Sequence, residues 1–131
     1  MEEELVQYLL NDATLAGLVD DRINWNKRPQ GSLTPSVTMQ VISDIRDYAI
    51  STETFLHNSR VQIDCWCDTY IQSLNVSRAV VQALSGLKED LSGVEIQGAF
   101  LIDQRQSYDD SDATARYHRV SLDFNIWYRK V

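Results

Sequence analysis

Between positions 60 and 86 the alternation of apolar and polar residues changes period without a break. Val61, Ile63, Cys65 and Cys67 alternate with Arg60, Gln62, Asp64, Trp66 and Asp68, which is the two-residue period of a strand with one face buried. From Thr69 onward the apolar positions recur as Leu74, Val76, Val80, Val81, Ala83, Leu84 and Leu87, a broad helical stripe. The spacing therefore predicts one strand running straight into one helix that lies on the sheet. Asp68 or Thr69 is placed to cap the first amides of that helix. Ser85 and Gly86 loosen its end, and residues 87–91 are expected to add a further turn.

The same two periods organise the remainder. Leu5, Val6, Leu9 and Leu10 form the apolar stripe of a helix over 2–11, with Glu2, Glu3 and Glu4 favourably placed in its first turn. Asp12 is set to cap a second short helix over 13–19, buried through Leu15, Leu18 and Val19. The pair has a helix-turn-helix outline but lacks basic residues to read DNA. Ile23 and Trp25 pin the chain before the irregular stretch 26–35, where Pro29, Gly31 and Pro35 discourage a regular element. That stretch is either a plain crossover or an interacting loop.

Val37, Met39 and Val41 alternate with Thr38, Gln40 and Ile42 in a strand over 36–43. Residues 44–54 either extend it or form a hairpin tip leading back into 55–67, so the two strands pair antiparallel. Val94, Ile96, Phe100 and Ile102 mark a third strand, with Gly98 at a close approach or a bulge. The acidic stretch 107–114 reads as a turn. Strand 117–129 turns His118, Val120, Leu122, Phe124, Ile126 and Tyr128 inward. The sum is one α+β domain over 1–131, in two layers. An antiparallel sheet of about four strands, in two hairpin-like pairs, carries one main helix and short N-terminal helices. The pattern does not fix the strand order.

Composition narrows the function. A chain of 131 residues, 44% hydrophobic and 24% charged, is large enough to bury a core without disulfide or metal help. No apolar run approaches the ~20 residues of a membrane span, and no basic n-region precedes an apolar segment, so cytoplasmic synthesis is expected. The net charge of −7, with basic residues scattered, argues against an open nucleic-acid surface. Cys65 and Cys67 share the inward face of one strand, where side chains diverge in parallel; they are expected as buried thiols rather than a disulfide or a zinc site. No cofactor is expected.

Two acidic clusters, Asp44 with Asp47 and Asp109 with Asp110 and Asp112, lie in predicted loops. They have no histidine, serine or glycine-rich context at a useful spacing, so solvated turns fit them better than acid–base chemistry. Trp66 and Trp127 fall on the polar face of their strands and need a cover, from the N-terminal helices or from a neighbouring subunit.

Four stretches carry a resemblance: LVDDRINW (18–25), PQGSLTPSVTMQ (29–40), RVQIDCWCDTY (60–70) with its following helix, and YHRVSLDFNIWYRK (117–130). In this order and spacing the chain resembles the tail-completion, or tail-terminator, proteins of long-tailed phages and phage-like particles, over nearly its whole length. Ser36 departs from it, standing where a large residue is expected. The resemblance implies a non-enzymatic virion protein at the tail end next to the neck, assembled in the host cytoplasm. It would form a sixfold homo-oligomeric ring that caps the tail tube, ends its growth and forms the joint to the head. Its partners would be other copies of itself, the tail tube protein and a head-completion or neck protein, with DNA as passing cargo and no membrane.

The segments 26–34 and 44–54, long and of mixed charge, are then the expected interface, through Lys27, Arg28, Asp44, Arg46, Asp47, Tyr48 and Glu53. Asp109, Asp110 and Asp112 are candidates to line the channel. The alternatives are a stand-alone α+β binding module, a head–tail connector of the neck and, distantly, a small hydrolase.

Overall fold

A computed structural model describes residues 1–26, 35–48, 53–112 and 115–130. Helices α1 (Glu2–Leu10) and α2 (Ala13–Val19) precede strands β1 (Ile23–Trp25), β2 (Ser36–Tyr48) and β3 (Glu53–Cys67). Helix α3 (Tyr70–Leu84) follows, and then strands β4 (Glu89–Leu91), β5 (Val94–Asp112) and β6 (Ala115–Lys130). The strands form one mixed sheet in the order β1-β2-β3-β6-β5-β4. Only β1 and β2 run parallel; the other pairs are antiparallel.

The four long strands lie in two hairpins, β2–β3 and β5–β6, joined by α3, as the periodicity indicates. The expected count of about four is corrected to six among the described residues, and the all-antiparallel sheet to a mixed one. Strands β1 and β4 are three residues each, too short for a two-residue alternation to show. In place of the extra helical turn expected at 87–91, a turn at 85–86 leads through two irregular residues into β4. Gly86 sits at φ +76, a conformation open to glycine at little cost, and redirects the chain after Ser85.

The hairpins are longer than their hydrophobic alternation. The ladder of β2 with β3 continues to Tyr48↔Glu53, and that of β5 with β6 to Asp112↔Ala115. Asp44, Arg46, Asp47, Tyr48 and Glu53 therefore lie on strands, and so do Asp109, Asp110 and Asp112, which were expected in a turn. Beyond the apolar run, residues 42–46 and 102–108 are exposed on both faces of their strands. Alternation then stops reporting the strand, although the backbone ladder persists.

The core lies on one face. Val37, Met39, Val61, Ile63, Cys65, Val120, Leu122, Phe124 and Ile126 are almost wholly buried, opposite Val76, Ala79, Val80 and Leu84 of α3. Leu5, Leu9, Leu15 and Val19 of the N-terminal helices complete the cluster. Each such side chain contributes roughly 1.5–3 kcal/mol by leaving water. Thr69 caps α3, its hydroxyl accepting from the Gln72 amide at 3.2 Å, and Asp12 caps α2 through the Leu15 amide at 3.0 Å. Helix α1 touches both edge strands, β1 and β4, and the sheet curls around it. The Trp25 indole donates to the Glu2 carbonyl at 2.9 Å, and the Tyr8 hydroxyl donates to the Ala83 carbonyl at 3.1 Å.

Cys65 and Cys67 are buried free thiols. Burial first, and then the neighbouring negative charges, holds Cys65 well above the ordinary thiol range and pushes Cys67 up to about 12.

Candidate functional site

Cross-strand register lays the helix-free face of the sheet out as a grid. From one end to the other its rows are Ser36–Trp66–Arg119–Ser107, Thr38–Asp64–Ser121–Arg105, Gln40–Gln62–Asp123–Asp103, Ser43–Arg60–Asn125–Phe100 and Ile45–Asn58–Trp127–Gly98. The middle of this grid is charged and internally paired. Asp123 is buried and accepts from Arg60 at 2.7 Å and from Arg105 at 3.1 and 3.3 Å. Arg105 also grips Asp103. Burial alone would raise the Asp123 carboxyl, but the hydrogen bonds and charges of Arg105 and Arg60 outweigh it and hold the group below the usual range. Asp64 accepts from Ser121 at 2.5 Å and from Gln62 at 3.2 Å. These pairs fix the register of β3, β6 and β5 while leaving their outer atoms to solvent.

The cover expected of the N-terminal helices does not reach Trp66. Trp66 lies on the face opposite the N-terminal helices. Its indole donates to Thr38 Oγ1 at 3.0 Å, Tyr117 meets it edge-on at 6.1 Å, and the Arg119 guanidinium lies 5.1 Å above its ring. Its cover thus comes from its own sheet. Trp127 is half-buried in the row that holds Gly98. A Cβ on Gly98 would stand 2.7 Å from Phe100 Cε2, so the glycine accommodates the Phe100 ring. The bulge between Ile96 and Gly98 makes both expectations for this position correct.

On the core side, at the rim, Asp44 organises a second knot. The bulge between Val41 and Ser43 turns Asp44 to the same face as Ser59 and His57. Its carboxylate accepts from Ser59 Oγ at 2.6 Å and from the Tyr128 hydroxyl at 3.2 Å, and lies 3.0 Å from His57 Nδ1. The His57 and Tyr128 rings stack at 4.8 Å. Burial raises the Asp44 carboxyl, but the bonds from Ser59 and His57, the His57 charge and the Tyr128 bond win, and it rests below its ordinary value. Burial pushes Tyr128 up to about 12. Ser59 and His57 both address Asp44, which is the arrangement of a structural knot rather than of a nucleophile beside its base. Nothing in the sequence spacing foretold this cluster, because a bulge reverses the facing of Asp44.

Of the other expected interface residues, Arg46 is exposed on β2. Asp47, Tyr48 and Glu53 continue the same hairpin, and Asp109, Asp110 and Asp112 lie at the far end of the other. Lys27 and Arg28 lie outside the described residues. A cleft of about 700 Å³ between α1 and β4 is lined by Glu3, Glu4, Tyr8, Asp12, Glu89 and Asp90 among others, and gives this side of the molecule a negative surface. Among the described residues no cluster of three or more His, Cys, Asp or Glu side chains could hold a metal, and no helix is long and apolar enough to cross a membrane.

The family model for tail completion protein gp17 matches residues 3–129. Among solved structures the chain is similar to a component of the virion of a native gene transfer agent particle, with a TM-score of 0.71 and 19% identity. The match covers 98% of this chain and 94% of the other. Against curated protein sequences there is no significant match.

Proposed function

The chain belongs to the tail completion protein gp17 family, whose model spans residues 3–129, and from that premise we propose that it closes as a ring on the end of a phage-type tail tube, stops its growth and forms the joint to the head. The family match over nearly the whole length carries this proposal. The fold likeness to a component of a gene transfer agent virion supports it.

Ending a polymer requires a surface that accepts the last tube subunit and another that does not repeat the offer. The sheet has two unlike sides suited to this. One is packed against helices; the other bears a paired charged band, with apolar residues at its edges. In a ring, sixfold by the family resemblance, the acidic end of the β5–β6 hairpin at Asp109, Asp110 and Asp112 would line the channel and keep passing DNA from adhering. The segments holding Lys27, Arg28 and Arg46 would contact neighbouring copies. The head-completion protein would take the face turned away from the tube.

The direct biochemical test uses purified tube protein growing into tubes in vitro. Added chain should halt growth at an amount equal to one ring per tube end, and tubes that grow on unaffected contradict the proposal. A stand-alone binding module would bind without changing tube length.

A further inference from the structure

Among the described residues each end of the sheet is only partly covered. Strand β1 pairs with β2 over Val37–Met39 alone, and beyond it no described strand pairs with the outer edge of β2 over 40–48. Strand β4 pairs with β5 over Val94–Ile96 alone, the Gly86 amide takes the Ala99 carbonyl, and no described strand pairs with the outer edge over 100–112. Open edges of this length template pairing with another chain unless they are blunted by charge, proline, bulges or a cover. Residues 40–48 and 100–112 hold neither lysine nor proline; of the charges they do carry, Asp44 and the Asp103–Arg105 pair are engaged within their own sheet.

These edges carry four of the large exposed apolar side chains: Ile42 (48% exposed) and Ile45 (63%) on β2, Phe100 (52%) and Ile102 (49%) on β5. Each edge has a bulge at its isoleucine, between Val41 and Ser43 on one side and between Leu101 and Asp103 on the other. Bulges re-aim side chains. The two bulges also stand level across the sheet, since Val41, Val61, Phe124 and Leu101 form one row.

We infer that the outer edge of β2 in one copy pairs with the outer edge of β5 in the next, so that the sheet continues from copy to copy with Ile42 and Ile45 packed against Phe100 and Ile102. The occupant of each edge is a second copy of this chain, and the inference rests on the ring proposed above. Strand direction supports it. The four long strands alternate in direction across the order β2-β3-β6-β5, so β2 and β5 run oppositely, and a copy related by rotation presents β2 antiparallel to its neighbour's β5. The joint is heterologous, the kind that a rotation closes into a ring. Strand length agrees as well. Strand β4 occupies the far part of the β5 edge, where an arriving β2 must stop, so the covered part of the edge sets the register.

The test exchanges charge across the joint in the full-length chain, with assembly read by sedimentation, in solution and on tail-tube ends. Ile42→Asp alone and Ile102→Lys alone should each reduce assembly at least tenfold, while the double variant Ile42→Asp/Ile102→Lys should recover most of it. Rescue requires that the two positions meet between copies. Circular dichroism monitors folding, and Ile42→Gln and Ile102→Gln replace a charged variant that fails to fold. Rings that form equally well from every variant, or a double variant that stays monomeric while both single ones fail, overturn the edge pairing and leave the ring intact. A parent chain that stays monomeric in solution and on tube ends overturns both.

Discussion

The Tyr128 hydroxyl donates to Asp44 Oδ1 at 3.2 Å across 84 residues of sequence, and this bond ties the first hairpin to the last strand at the rim of the hydrophobic core, to which Tyr128 belongs. Asp44→Ala would leave Ser59, His57 and Tyr128 without their shared acceptor. A loss of about 1–3 kcal/mol is expected, read from denaturant midpoints, with Asp44→Asn retaining part of it. An unchanged midpoint in Asp44→Ala would show that the knot adds nothing to stability.

Asp44 and Asp123 predict the acid limb of the stability curve. Both carboxyls lie below their ordinary values in the folded chain. In the window below about pH 3.9 the unfolded chain therefore binds more protons than the folded one. Stability is fully present above that window and falls as pH descends through the lowered folded values. Asp123→Asn should flatten this limb while lowering stability at neutral pH; an acid limb identical to the parent's contradicts the assignment.

The thiols predict the alkaline limb, with the opposite sign. Cys65 and Cys67 keep their protons in the folded chain above the ordinary thiol range, so the stability they contribute is present below about pH 8.5. It is lost as pH rises towards about 12, the folded value of Cys67. In the native protein a thiol reagent should react at the rate of unfolding. Rapid modification at neutral pH would place the thiols at the surface.

Ser36 offers a stabilising change. It is fully buried, and among the described residues its hydroxyl has no hydrogen-bond partner, a situation that costs free energy without return. Ser36→Ala should raise stability by about 1 kcal/mol, read as a higher denaturant midpoint. A lower midpoint would assign the hydroxyl a structural role.

The strand–helix unit around Cys65 and Val80 was legible in the sequence because one face of each element is core, and burial is what alternation records. The caps at Asp12 and Thr69 were legible because a capping side chain acts within three residues of itself. The ends of the hairpins were not. Around Asp44 and Asp109 exposed apolar residues such as Ile45 and Tyr108 interleave with polar ones, and bulges at Ile42 and Ile102 change the side on which later residues fall. The charged grid around Asp123 was hidden for a related reason: Arg60, Asp103 and Arg105 come together only through the order β3-β6-β5, which no local pattern contains. The resemblance carried by four stretches in their order and spacing named the family, whereas the two open edges became visible only once the strand order was known.

The proposed role of this chain is to end tail growth. It is tested most directly by electron microscopy of tails assembled in its absence, with tube length measured particle by particle. Tails of widely varying length, detached from filled heads and restored to one length when the chain is supplied, are the expected result. Tails of uniform normal length joined to heads without it would contradict this role.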